Sequence, residues 1–436
     1  MKIAILGYGL EGVTALDYFN QSENSITICD QNSELEKIAG INYQLGSEYL
    51  SNLNKFDLIV RSPGINPVQI FDSNADIDKS KITSGTNIFF QMSPTKNIIG
   101  VTGTKGKGTT STLIHKMLLE VGKNSYLAGN IGIPAMNLLA SIKTDDFIVL
   151  EMSSFQLSDC NYSPHIAVCL MITQDHIDWH GQIENYLDSK RNIVKYQTKD
   201  DIVIYNSQNN KSQSLAETSL ANKLPYLEAP GAIVQGQNII IDDQVICAVS
   251  EIGLLGKHNL ENICAAITCV WQVSKNKHAI ARIIKTFTGL ENRLEFVKIK
   301  NKVRYYNDSF ASAPDAAIAG MKAIASPKVL IIGGFDRNLD LKYLVESIVD
   351  EGKNGSIRKL ILIGASASRL AKELDAKKYT NYQVSNAKNM FEIVKLATDY
   401  ADKEDVVLLS PGFASFDMFK NFEERGRAFK DAVNNL

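Results

Sequence analysis

A chain of 436 residues is too long for one compact core and predicts about two to four domains. Its 46 Lys and Arg against 48 Asp and Glu leave a net charge of −2, which argues against a general nucleic-acid binder and a polybasic membrane anchor. The 6 cysteines form no C-x-x-C pair and sit mostly among apolar neighbours, so they read as core residues of a reducing compartment.

Met1-Lys2 runs into Ile3-Ala4-Ile5-Leu6, an apolar stretch too short for a signal peptide. No segment approaches the roughly 18 apolar residues of a membrane span. A cytoplasmic protein is expected, a monomer without a membrane or nucleic-acid partner. Lys2 to Leu6 predicts a strand, and Gly7-Tyr8-Gly9-Leu10-Glu11-Gly12 is a complete G-x-G-x-x-G. A helix through Phe19 follows, then a strand from Ser25 to Cys29 that ends at Asp30. This is a dinucleotide fingerprint with its acidic residue near a ribose. The same geometry holds any pyrophosphate, so it reports a phosphate ligand more securely than a nicotinamide. Phe56 to Val60 predicts another strand, with Arg61-Ser62-Pro63-Gly64-Ile65 turning at its carboxyl end. That turn is either a ligand loop or a plain turn. Polar, turn-rich sequence from Asp72 to Thr86 places a domain boundary near residue 92.

Asn97-Ile98-Ile99 predicts a buried strand. It leads into Gly100-Val101-Thr102-Gly103-Thr104-Lys105-Gly106-Lys107-Gly108-Thr109-Thr110, after which apolar residues recur at helical spacing. Strand, glycine loop and helix start form a phosphate cradle, with backbone N–H groups and the helix dipole facing an anion and a lysine reaching the outer phosphates. The spelling departs from G-x-x-x-x-G-K-[ST]. Val101 takes the first glycine position, and Gly108 separates Lys107 from Thr109.

Asp145 to Leu150 predicts a strand with Glu151 at its carboxyl end, where a magnesium ligand belongs beside a phosphate loop. The strand from Ile166 to Ile172 runs into a loop that crowds Asp175, His176, Asp178 and His180. Gly181 breaks the helix that an H-x-x-x-H zinc site needs, so oxygen-rich magnesium chemistry with one assisting histidine fits better. Tyr186 to Val194 reads as a helix that brings Lys190 back toward this loop.

Residues 200 to 250 alternate short strands with turns and carry no recognisable chemistry. Leu255 to Asn262 opens a helix through Trp271, where His258 and Asn259 serve as caps or as ligand contacts. A third domain begins near Gly289. Its strands end at Asn307-Asp308-Ser309, Gly333-Gly334, Gly364 and Ser410-Pro411-Gly412, with amphipathic helices between, so its sheet is largely parallel.

The glycine loop, Glu151-Met152-Ser153-Ser154-Phe155-Gln156-Leu157, the 176–190 segment and the Asn307-Asp308-Ser309 turn together resemble the Mur ligases. These ATP-dependent enzymes extend the peptide stem of the peptidoglycan precursor. Gly129-Asn130-Ile131-Gly132-Ile133-Pro134 and the run from Leu409 through Gly426 are most similar to the glutamate-adding branch. The resemblance spans essentially the whole chain. It implies an α/β fold of three domains, with N- and C-terminal Rossmann-like parallel sheets flanking a central P-loop-type ATPase domain. Residues 1–92 would bind UDP, 93–290 would bind ATP, and 291–436 would bind the incoming amino acid and close over the site.

Residue by residue, the resemblance implies ATP contacts from Gly103, Thr104, Lys105, Gly106, Lys107, Gly108, Thr109 and Thr110, with Asn259, Arg293 and Asp308. Lys107 would hold the γ-phosphate and act with His176 and Lys190 in catalysis. Two Mg²⁺ ions would use Thr109, Glu151, His176 and a carbamylated Lys190, because a carbamate offers anionic oxygen where an ammonium is repelled. The UDP-linked substrate would meet Gly7, Gly9, Leu10, Gly12, Asp30, Ser62, Pro63, Gly64 and Asn130. Glutamate would meet Ser312, Arg337, Ser415 and Phe422. The implied reaction joins glutamate to UDP-N-acetylmuramoyl-L-alanine through an acyl phosphate.

One departure stands out. Relatives that add D-glutamate usually carry D-S-K-A-T-N where this chain reads Asp308-Ser309-Phe310-Ala311-Ser312-Ala313. Losing that lysine leaves a substrate carboxylate less well paired and keeps an L-glutamate ligase as an alternative. Gly106-Lys107-Gly108-Thr109 also resembles the loop of folylpolyglutamate synthases, in which the N-terminal G-x-G-x-x-G would have no role. An NAD-dependent oxidoreductase would leave the second phosphate loop surplus.

Overall fold

The runs Ile3–Leu6 and Ile98–Thr102 are buried throughout, as strands of a parallel sheet covered by helices require. The computed structural model describes residues 1–20, 23–254, 256–337 and 339–436, and of Lys257 the backbone only. Met1–Ile252 with Lys257–Phe287 form one compact unit, and Gly253–Gly256 with Thr288–Leu436 form the other. Among the described residues no helix is long and apolar enough to cross a membrane.

The first sheet contains β1 (Lys2–Leu6), β2 (Ser25–Asp30), β3 (Asn42–Leu45), β4 (Leu58–Arg61) and β5 (Ile82–Ser84) in the order β3-β2-β1-β4-β5, all parallel. Its helices are α1 (Leu10–Phe19), α2 (Pro67–Ser73) and α3 (Gly85–Met92). The chain reverses direction across the sheet between β1 and β4, and such a reversal opens a ligand crevice at the carboxyl ends of the two strands. The stretch expected to be turns up to Thr86 instead supplies β5 and the start of α3. Ser84 caps that helix by accepting from the Asn87 amide, and Ile88 and Phe89 are buried in the core.

The second sheet belongs to the same unit. It contains β6 (Ile98–Thr102), β7 (Ser125–Gly129), β8 (Phe147–Glu151), β9 (Ile166–Cys169), β10 (Ile202–Asn206) and β11 (Asn222–Tyr226), all parallel in the order β11-β10-β9-β6-β8-β7. Around it lie α4 (Lys107–Glu120), α5 (Ser154–Leu157), α6 (Ile177–His180), α7 (Ile183–Lys195) and α8 (Asn210–Glu217). Two of these differ from the sequence reading. The loop after β9 contains α6, one turn closed by Gly181 at φ 77°. The 200–250 stretch contains α8, whose cap Asn209 accepts from the Ser212 amide. A small antiparallel sheet of β12 (Ile233–Gln235), β13 (Asn238–Ile241) and β14 (Gln244–Ala248) follows, then α9 (Lys257–Trp271) and α10 (Lys277–Thr286).

The second unit is built on β15 (Glu295–Lys300), β16 (Val303–Asn307), β17 (Lys328–Gly333), β18 (Ile357–Ile363), β19 (Tyr382–Val384) and β20 (Val406–Leu409), in the order β15-β16-β20-β17-β18-β19. Its helices are α11 (Pro314–Ala323), α12 (Lys342–Lys353), α13 (Ala367–Ala376), α14 (Met390–Asp399) and α15 (Phe422–Asn434). Every pairing is parallel except β15 with β16. That hairpin escaped the sequence reading because Asn301 and Lys302 take φ of 51° and 66° without the glycine that usually marks such a turn. The unit boundary lies between Phe287 and Thr288. Met92 closes α3 and Ile98 opens β6, both within the first unit.

Candidate active site

The crevice between β1 and β4 gathers the first set of expected residues. Gly7 takes φ +82° and Gly9 is the N-cap of α1, with exposed Leu10 next in the helix. The Tyr8 amide donates to Asp30 Oδ2 at 2.6 Å, so Asp30 pins the glycine loop from the end of β2. From the β4 side the Ser62 hydroxyl donates to Gly7 O at 2.8 Å. Any Cβ on Gly12 would overlap Gly7 O, backbone against backbone. Gly12→Ala is therefore expected to push α1 off its loop at a cost of about 1–3 kcal/mol, measured by urea unfolding.

A second gathering occurs at the carboxyl edge of the central sheet. Gly106 takes φ +88° as the N-cap of α4, and a Cβ there would overlap the Asn262 side-chain oxygen. Asn262 in turn donates to Asn259 Oδ1 at 3.1 Å, which places Asn259 beside the loop. Lys105 is exposed and Gly108 and Thr110 are buried. The N-cap of α4 is Gly106, which has no side chain to cap the helix, and a helix start of this kind turns its first N–H groups toward an anion.

Two ammonium groups meet here on one carbonyl. Lys107 Nζ donates to Gly103 O at 3.0 Å and to Thr104 O at 3.1 Å. Lys190 Nζ, carried in by α7, donates to the same Gly103 O at 3.0 Å and to Thr102 Oγ1 at 3.2 Å. Lys190 is 1% exposed. Burial first, and then the Lys107 charge, bring its pKa down to about 7. The Lys107 ammonium at a helix N-terminus, beside a second lysine whose charge burial disfavours, leaves a positive field that an anionic ligand relieves.

A small cavity here is lined by Gly103, Thr104, Lys107, Ser153, Ser154, Asp175, His176, Tyr186 and Lys190. Thr104 Oγ1 lies 2.8 Å from the Tyr186 hydroxyl, and its amide donates to Met171 O, tying the β6 loop to the β9 loop. His176 sits at φ 52° with 47% of its side chain exposed. Such left-handed backbone in a residue with a Cβ is strained and recurs at functional sites. His180 is buried, with Nε2 3.0 Å from Ser154 Oγ. Burial holds its pKa down near 4, so it is a neutral packing partner, whereas His176 faces the cavity.

Glu151 is buried at the end of β8, and its Oε1 accepts from Asn130 Nδ2 at 2.8 Å. Asn130, expected among the UDP contacts, is thus tied to this carboxylate on the central sheet. Thr109 lies in the first turn of α4. Among the described residues no three His, Cys, Asp or Glu side chains form a metal cage. The Thr109 hydroxyl and Glu151 carboxylate are hard oxygen donors of the kind that hold Mg²⁺ jointly with substrate phosphates and water. The donor set fits that cation.

In the second unit, loops after β16, β17 and β20 meet. Asp308 Oδ2 accepts from Ser410 Oγ at 2.7 Å and Oδ1 from the Leu294 amide at 3.1 Å. Burial raises the Asp308 pKa to about 7. Arg337 Nη2 donates to Ser312 O at 2.7 Å. The Arg293 guanidinium lies 3.7 Å over the Phe310 ring, and Phe422 meets that ring edge-on at 5.2 Å. Ser415 is buried, and its carbonyl accepts from the Met418 and Phe419 amides.

Several residues at these sites had no assigned role in the sequence reading. Arg425 is 1% exposed and donates to Ser309, Ser312, Phe413 and Ala414 oxygens, all neutral. Arg61, Trp179 and Tyr186 also bond across long sequence separations, and the Asn262 side chain lies against Gly106. Ser153 and Gln156 were legible as a capping box (S-x-x-Q), which α5 forms.

Comparison with known proteins agrees with this geometry. The Mur ligase middle domain matches residues 101–270, and the Mur ligase, glutamate ligase domain matches residues 292–413. The UDP-N-acetylmuramoylalanine–D-glutamate ligase of Clostridium kluyveri is 35% identical, covering 100% of this chain and 97% of that protein. The enzyme of the same name from Acetivibrio thermocellus is 35% identical, covering 100% and 96%. Among solved structures, the MurF ligase from Thermotoga maritima in complex with ADP superposes with a TM-score of 0.60 at 15% identity, covering 99% of this chain and 94% of that one. UDP-N-acetylmuramate-alanine ligase MurC from the same organism gives 0.57 at 14%, covering 100% and 99%. The distant structures share the fold, and the sequence relatives match from end to end. This chain belongs to the Mur ligase family.

Proposed function

We propose that this chain is an ATP-dependent ligase that joins D-glutamate to UDP-N-acetylmuramoyl-L-alanine in the cytoplasmic synthesis of peptidoglycan precursor. The observation that carries the reading is the convergence of Lys107 and Lys190 on Gly103 O at the start of α4, behind the glycine N-cap. The names of the full-length relatives support the substrate and the enantiomer. Residues 1–92 are assigned to the UDP moiety, 93–290 to ATP and 291–436 to glutamate.

A carboxylate does not react with an amine at neutral pH. In the proposed reaction its oxygen attacks the γ-phosphorus of ATP, ADP leaves, and an acyl phosphate forms. The glutamate amine then attacks the acyl carbon, loses a proton and expels phosphate. Lys107 and the α4 N–H groups offset the charge that opposes an anion attacking a triphosphate. Mg²⁺, held by Thr109, Glu151, His176 and a carbamylated Lys190, would add positive charge at the phosphates. Asn259, Arg293 and Asp308 are assigned to the nucleotide, and Ser312, Arg337, Ser415 and Phe422 to the amino acid.

The test is ATP-dependent phosphate release with UDP-N-acetylmuramoyl-L-alanine and each glutamate enantiomer. Release is expected with D-glutamate; its absence with both enantiomers would overturn the reading, and release with L-glutamate alone would reassign the enantiomer. The Phe310 turn supplies a further prediction. Phe310→Lys replaces a ring that faces Arg293 with a like charge, so the KM for glutamate or the enantiomer preference is expected to shift several-fold. Unchanged kinetics with both enantiomers would show that this turn does not read the substrate.

A further inference from the structure

Arg61 ends β4 and is 1% exposed, yet it carries a formal charge. Its guanidinium fork divides its bonds between two places. Nη1 donates to the carbonyls of Ser62, Pro63 and Ile65 at 3.2, 3.1 and 2.7 Å, shaping the turn that in turn grips Gly7. Nε and Nη2 reach the central sheet's α5 segment. They meet the two Asp159 oxygens at 2.7 and 2.6 Å, and Nη2 also meets Phe155 O at 3.0 Å and Ser158 Oγ at 3.2 Å. A planar five-donor fork can satisfy both directions at once, which an ammonium cannot.

The far side of the same turn is tied to α6. Trp179 Nε1 donates to Gly64 O at 3.2 Å, and Asn66 Nδ2 donates to Trp179 O at 2.7 Å. The Trp179 ring lies 4.8 Å from Phe155, which lies 4.8 Å from His176. The Ser62–Asn66 turn is thereby fastened to both segments that wall the cavity, the one after Ser153-Ser154 and the one after His176.

Resting on the function proposed above, we infer that Arg61 and Trp179 are positioning residues that hold the sugar-nucleotide turn in register with the phosphate-transfer cavity. Neither touches the reacting atoms. Each sets the distance between two loops borne on different sheets. Mispositioning of about 1 Å costs on the order of a hundredfold in rate while leaving each binding loop whole.

The test compares wild type with Arg61→Lys, which keeps charge but loses the fork, and Trp179→Phe, which keeps a ring but loses the indole donor. Equilibrium binding of UDP alone and of ATP alone, thermal unfolding, kcat and KM are measured for each. The expected result is a kcat lower by about a hundredfold in Arg61→Lys and about tenfold in Trp179→Phe, with UDP and ATP affinities within about twofold of wild type. A kcat within twofold of wild type in Trp179→Phe overturns the inference. So does a fall in rate matched by a parallel fall in folded fraction or in both affinities. If Arg61→Lys does not fold, Trp179→Phe decides. Wild-type phosphate release reports on the proposed reaction separately, so the two readings fail in different measurements.

Discussion

Replacing Lys107 with alanine is expected to lower ATP-dependent phosphate release by about a thousandfold while leaving the melting temperature within a few degrees of wild type. Lys107 is the first residue of α4 and is only partly buried, so truncation opens no core cavity. Its ammonium donates to Gly103 O and Thr104 O, carbonyls that water can satisfy after truncation. What disappears is a cation where charge develops during transfer, and the rate feels that far more than the fold does. Phosphate release and a thermal melt on the same preparation check both halves. Near-normal turnover would remove Lys107 from the mechanism.

Lys190→Met is expected to abolish turnover to a similar degree, and here the fold should respond as well. The side chain is buried beside Thr102, Gly103 and Tyr186, and burial brings its pKa down to about 7. In CO₂-free buffer the unfolded chain therefore holds a proton between about pH 7 and the ordinary lysine value near 10.4 that the folded chain has released. Stability attributable to this residue rises with pH across that window and is lowest below pH 7, where the buried ammonium must be desolvated. Urea unfolding at pH 6 and pH 9 should show a smaller gain with pH in Lys190→Met than in wild type. An equal gain in both would mean that Lys190 is not the titrating group. A lysine that sheds its proton near neutrality is also a free amine, the form that can take up CO₂, which agrees with the carbamate proposed for it.

Much of the architecture was legible because its signals are local. Ile98–Ile99, Phe147–Leu150 and Val406–Leu409 are short apolar runs followed by glycine, serine or carboxylate residues, and each became a parallel strand with its loop at the carboxyl end. The strand, glycine loop and helix start around Gly106 were readable despite the unusual spelling, since the glycines and the helical spacing after them are local signals, and Gly106 takes the left-handed cap at φ 88°. The β15–β16 hairpin, β5 and α8 were hidden. Asn301-Lys302 turns without glycine, Ile82–Ser84 gains its pairing from β4, and α8 is a short helix with few apolar positions.

Residue order settled which groups carry formal charge, where the glycine loops fall and which family the motifs resemble, because periodicity, glycine placement and caps act over a few neighbours. Contacts between distant residues settled the rest. Lys107 and Lys190 are 83 positions apart in the chain, yet share Gly103 O only because α4 starts, and α7 passes, at the carboxyl end of β6. Arg61 and Asp159 pair across 98 positions because the end of β4 meets the segment that follows α5. Burial, which moves the Lys190, His180 and Asp308 pKa values, is likewise a property of the packed chain, since desolvation depends on what surrounds a side chain and not on its neighbours in sequence.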